Sequence, residues 1–88
     1  MLTWKKAKTG NTLHGFPCFE AEAKGGKYRI APWRHVDGPV YYEAFFIPAG
    51  AKSMADVRDI AGSAEQGGEG LSTIEEARAA AEADHVAA

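Results

Sequence analysis

The residues best suited to chemistry in this chain are one cysteine and three histidines: Cys18, His14, His35 and His85. A thiolate beside an imidazole makes a nucleophile. If Cys18 faces Trp33 across a strand pair, His35 lies two residues further along the same sheet face. No third group is indicated that would orient the imidazole, and no local motif surrounds the cysteine, so Cys18 reads as structural. The histidines show none of the short paired spacings that hold zinc, and they read as surface residues. Gly67-Gly68-Glu69-Gly70 precedes a helix start, where phosphate-cradling loops sit. It lacks the P-loop lysine, no long strand leads into it, and Glu69, Glu75 and Glu76 would repel an anion. Residues 63–70 read as one mobile linker loop. No catalytic residue, metal or cofactor is expected, and the chain reads as a non-enzyme.

Binding residues are easier to nominate. Trp33, Tyr41, Tyr42, Phe45 and Phe46 are more aromatics than one thin core needs. Arg29, Arg34, Lys24 and Lys27 lie near them in sequence. Aromatic rings and arginines anchor protein contacts. The same rings could stack on bases while the cations meet phosphates. The candidate binding set is Arg29, Trp33, Arg34, Tyr42 and Phe46.

Composition narrows the classes. The chain has 88 residues, 45% hydrophobic and 25% charged, with a net charge of -2. That suits one small folded domain spanning residues 1–88 and is too apolar for a disordered chain. No apolar run approaches the roughly 18 residues of a membrane span. Met1 to Lys6 lacks a signal-like apolar stretch, and a single cysteine cannot form an internal disulfide. A cytoplasmic location and no membrane partner are expected. Charge is split: residues 1–35 carry seven Lys and Arg against two Glu, and residues 36–88 carry three against ten Asp and Glu. The two halves neutralise one another if adjacent, or steer a partner if each forms a face of one sign. The acidic pI of 5.9 disfavours nucleic acid.

The elements that must position these residues are legible from alternation. Leu2 and Trp4 alternate with Thr3 and Lys5, which hints at a short first strand. Phe19, Ala21 and Ala23 alternate with Glu20, Glu22 and Lys24, marking a strand with one dry face. Gly25-Gly26 then predicts a two-residue hairpin. Ala23 would face Tyr28, Ala21 would face Ile30, and Glu22 would pair with Arg29 across the strands. Val40 to Ile47 is aromatic and β-branched, hence another strand. With Asp37-Gly38 as a two-residue loop, Ile30 faces Phe45, Tyr28 faces Ile47, and Trp33 meets Tyr42 on the opposite face, with Arg29 near Phe46. Pro39 leaves that loop length open, and a change of one residue would swap the faces of this strand.

Ser53 to Asp56 resembles a helix cap, and Met54, Val57, Ile60 and Ala61 share a face at helical spacing, predicting a two-turn helix stopped by Gly62. Thr73-Ile74-Glu75-Glu76 is a capping box, with Ser72 and Glu75 as an equivalent alternative. The helix it opens runs to about His85, with Ile74, Ala77 and Ala81 as a thin stripe that would let it lie close to a sheet.

The segment from Gly70 to Glu82 resembles the strand-to-helix junction of small bacterial and phage proteins with three strands and a closing helix. It is also similar to the end of AP2-type and integrase arm-binding domains, which read DNA with their sheet. The resemblance implies the layout and a possible phage origin. Glu20, Glu22 and Glu43 interrupt the row of cations that the DNA-reading pattern requires.

The expected fold is α+β: an antiparallel three- or four-stranded sheet with a C-terminal helix packed on one face and a short preceding helix. The expected function is a small accessory or inhibitor module that binds another protein through an aromatic and basic sheet face. Nucleic-acid binding by that face is the alternative. So small a core also favours a homodimer, with Val40 to Ile47 as an edge strand available for pairing.

Overall fold

A computed structural model of the chain describes residues 2–7, 15–34, 38–62 and 70–87. Five strands form one antiparallel sheet: β1 (Lys5–Lys6), β2 (Phe19–Ala23), β3 (Gly26–Trp33), β4 (Tyr41–Pro48) and β5 (Arg58–Ala61). They lie in sequence order, so every connection joins neighbours. One helix, α1 (Ile74–Ala87), closes the chain and packs across one face. The α+β class is as expected, while the sheet has more strands than the three or four anticipated.

The β2–β3 hairpin forms, two residues out from the expected register. Ala23 pairs with Gly26, Ala21 with Tyr28, and Phe19 with Ile30, so Lys24 and Gly25 make the reversal. Gly25 supplies the positive φ of 83° that the turn requires. Gly26 has a different duty. A Cβ there would strike the Ile47 carbonyl oxygen and lie 2.8 Å from the Phe46 ring. Only a glycine lets β4 pass so close. A shift of two residues preserves both faces, so Phe19, Ala21, Ala23, Tyr28 and Ile30 stay on one side. The partner of Arg29 becomes Glu20 instead of Glu22, and Glu22 sits opposite Lys27.

The β3–β4 register differs by one residue, and this changes faces. Tyr28 pairs with Phe46, Ile30 with Ala44, and Trp33 with Tyr41. Tyr42, Ala44 and Phe46 therefore join Tyr28 and Ile30, while Tyr41, Phe45 and Ile47 turn to the other side. The cause lies in packing. Ile30, Ala44 and Ala77 form one buried cluster, and Ala44 is 1% exposed with Ala77 fully covered. A phenylalanine in place of Ala44 would hold α1 off the sheet. The expected turn at Asp37-Gly38 falls partly on residues 35–37, which lie outside the described set.

The short helix expected over residues 54–62 is a single 3-10 turn, Met54–Asp56, followed by β5. The capping chemistry is present: the Asp56 carboxylate accepts from the Lys52 amide at 3.0 Å, and the Ser53 hydroxyl accepts from the Ala55 amide at 3.3 Å. Two helical turns are marginal on their own. The free edge of β4 offers residues 58–61 a ladder of backbone hydrogen bonds, and they take it with a bulge between Ala44 and Phe45. Consequently β4 is an interior strand, and the expectation that Val40 to Ile47 forms an edge is corrected. β1 and β5 are the edges.

Helix α1 begins as its capping box predicts. The Thr73 hydroxyl accepts from the Glu76 amide at 3.2 Å. The same hydroxyl lies 3.3 Å from the Glu76 carboxylate, to which it donates. Ala77 and Ala81 are fully buried against the sheet. The Leu2 amide donates to Glu82 at 2.7 Å and ties the N-terminal segment to the helix.

Candidate functional site

The five nominated binding residues do not share one face. Arg29 and Trp33 lie on the side away from α1, and Arg34 follows them in an exposed position. Tyr42 and Phe46 lie under or beside the helix: Tyr42 packs on the Ile30–Ala44–Ala77 cluster, and Phe46 packs on Tyr28. The expected meeting of Trp33 with Tyr42 is replaced by Trp33 with Tyr41, with ring centroids 5.2 Å apart. The expected approach of Arg29 to Phe46 is likewise replaced by pairing with Phe45.

The helix-free face is built from Glu20, Glu22, Lys27, Arg29, Trp33, Tyr41, Glu43, Phe45 and Ile47. Glu20 lies between two cations. It pairs with Arg29 directly across the strands and with Lys27 diagonally at 3.0 Å. Burial alone would raise the Glu20 carboxyl, but Lys27 and Arg29 together outweigh that and hold it below the usual value. The basic groups here are thus matched by a carboxylate. At the far end of this face the Trp33 indole N–H donates to the Gly62 carbonyl at 2.7 Å. Gly62 and Gly70 sit together beneath that ring, where a Cβ on Gly70 would meet Trp33 at 2.9 Å and Tyr41 at 2.7 Å. Residues 63–69, which carry the expected linker loop, lie outside the described set. Two hydrogen bonds between Tyr42 and Leu71, at 2.8 and 3.0 Å, close the segment on the other side.

A second cluster, on the helix side, involves residues that sequence reasoning did not single out. The Tyr28 hydroxyl, on a side chain only 2% exposed, donates to Asp84 at 2.7 Å. Arg58 grips the same carboxylate with both terminal nitrogens at 2.8 Å. The guanidinium also lies over the Phe46 ring, 5.5 Å from its centroid, and His85 meets Tyr28 edge-on at 6.0 Å. Burial, then the bond to Asp84, pushes the Tyr28 hydroxyl up, so it stays a donor. The Arg58 and Tyr28 hydrogen bonds pull Asp84 down from 3.8 to about 2. The only sequence signal was the need of a buried Tyr28 hydroxyl for a partner. Its partner Asp84 comes from 56 residues away, and no local spacing announces it.

The shift at Asp84 sets an acid dependence. A carboxyl whose pKa is lower folded than unfolded adds stability above the unfolded value and loses it as pH falls through the folded one. The stability advantage of the native chain over Asp84→Asn should therefore be full above pH 3.8 and fade toward pH 2. Chemical unfolding of both proteins across that interval checks it, and a constant difference would contradict it.

Cys18 is fully buried, and His35 and His14 lie outside the described residues, so the thiolate–imidazole arrangement is not on view. Among the described residues no three His, Cys, Asp or Glu side chains are grouped to hold a metal, and no helix is long and apolar enough to cross a membrane. No family model, curated protein or solved structure matches the chain.

Proposed function

We propose that the chain is a non-enzymatic module that binds another protein, or a second copy of itself, through its helix-free sheet face. Arg29, Trp33 and Arg34 remain contact residues in this reading. Tyr41 and Ile47 take the places first given to Tyr42 and Phe46. The observation that carries it is the Trp33–Tyr41 ring pair, partly exposed and anchored by the Gly62 carbonyl, beside cations already matched by Glu20. Aromatics and a shielded arginine on a neutral, partly apolar surface suit a protein contact. A phosphate backbone calls for a surplus of positive charge. Here Glu20, Glu22 and Glu43 share the face with Lys27 and Arg29, which makes nucleic acid the weaker reading.

Photo-crosslinking from position 41 tests this, with position 86 at the exposed end of α1 as the control. A discrete protein adduct from position 41 is expected, competed by excess native chain and not by excess Arg34→Glu. Adducts equal from both positions, or none from position 41, would overturn the proposal. Fluorescence anisotropy with single- and double-stranded oligonucleotides at low salt addresses the alternative: no binding is expected, and salt-sensitive binding would favour it.

A further inference from the structure

On the opposite face, at the hairpin end of the sheet, lies an open cleft of about 510 Å³. Its volume is within the range of small-molecule sites. The rings of Tyr28 and Phe46 and the methyl of Ala23 line its apolar part, and Lys24, Arg58 and His85 line its polar part. Among the described residues that line it none is a carboxylate, and Asp84 beside it is occupied: Arg58 takes both its oxygens and Tyr28 one of them. Arg58 and Asp84 cancel in charge, and among the described residues that line the cleft Lys24 adds a further cation. Arg58 still has donors beyond the two it gives to Asp84. Its position is fixed from two sides, by the bidentate grip and by the Phe46 ring below it. Such a site offers an aromatic floor, a placed guanidinium and the exposed ammonium of Lys24.

We propose that this cleft binds a small amphipathic anion: one carboxylate or phosphate group on an aromatic or branched apolar body. The anion sits between Lys24 and Arg58 and the body lies on Phe46 and Ala23. This site is independent of the protein-binding face, which lies across the sheet, so either can fail alone.

The test is a titration of the full chain followed by amide NMR, with phenylacetate as the probe and benzyl alcohol and benzylamine as neutral and cationic controls. Saturable shifts are expected at Lys24, Gly25, Tyr28, Phe46 and His85 with phenylacetate. Benzyl alcohol should bind several-fold more weakly, and benzylamine should give no saturable shift. Lys24 is exposed in a turn, so Lys24→Glu should fold normally and weaken phenylacetate binding by about fivefold. Benzylamine binding as well as phenylacetate, shifts confined to the helix-free face, or an unchanged affinity in Lys24→Glu would each overturn the proposal. So would the absence of any saturable shift with phenylacetate.

Discussion

Replacing Tyr28 by alanine is expected to lower the unfolding free energy by about 3–5 kcal/mol, the range for removing a large aromatic from a core. Tyr28 is among the largest fully covered side chains, and it joins Leu2, Ala21 and Ala81 in one cluster. It also holds Phe46 at 5.0 Å and His85 at 6.0 Å in edge-on contacts. Its loss would open a cavity between sheet and helix and leave Asp84 with Arg58 alone. A domain of this size has a total stability of about 4–13 kcal/mol, so the variant should be partly unfolded without denaturant if the native chain is near the lower end. Tyr28→Phe separates the two contributions. It keeps the ring and removes the hydroxyl, and should cost about 1.5–3 kcal/mol because the lost bond goes to a charged acceptor. Urea unfolding followed by circular dichroism measures both. If the two variants shift the midpoint equally, the ring contributes nothing beyond its hydroxyl and the packing described above is wrong.

The second large effect is expected at Gly62. Its φ of 77° is left-handed, and a Cβ there would strike the Tyr42 carbonyl oxygen and lie 3.0 Å from the Leu71 side chain. Gly50 has nearly the same φ, 84°, with nothing within 4 Å. Both Gly→Ala variants carry the backbone strain of about 1–2 kcal/mol. Only Gly62→Ala adds the collision, which must part Leu71 from Tyr42 or move the Gly62 carbonyl away from the Trp33 indole. The expected cost is about 3 kcal/mol or more for Gly62→Ala and about half that for Gly50→Ala. Since Trp33 leans on that carbonyl, Gly62→Ala should also disturb the Trp33–Tyr41 pair and weaken any contact made by it. Equal losses of stability at the two glycines would show that the neck between Gly62 and Gly70 is not tightly packed.

The comparison of these residues shows which parts of the fold a sequence can express. Alternation over residues 19–24 matched the dry face of the hairpin, though Cys18, on the polar positions, is fully buried, and a register error of two residues left the face intact because side chains repeat every two positions. The third long strand lacked that protection. Tyr41, Tyr42, Phe45 and Phe46 supply aromatics to both sides, so no alternation distinguishes the faces. What decides is Ala44, a small residue that lets α1 approach, and its role depends on a helix 30 residues later. The capping box at Thr73 was legible because capping is local. The residues from 54 to 61 carried a helical pattern that lost to an open strand edge, and a strand edge is visible only once the sheet exists. Among the nominated binding residues, Arg29 and Trp33 keep places on the helix-free side, and Arg34 is exposed just past the end of β3. Tyr42 and Phe46 were displaced by the same one-residue register change. The Arg58–Asp84–Tyr28 cluster joins three distant segments through polar contacts and left no mark in spacing.

The composition of the two faces depends on how β3 meets β4. A nuclear Overhauser spectrum of the unmodified chain reads that meeting directly. The register described here predicts cross-peaks between the rings of Trp33 and Tyr41 and between those of Tyr28 and Phe46. Cross-peaks joining Trp33 to Tyr42 and Tyr28 to Ile47 in their place would move Tyr41 to the helix side, and would contradict the assignment of the helix-free face as the surface for partners.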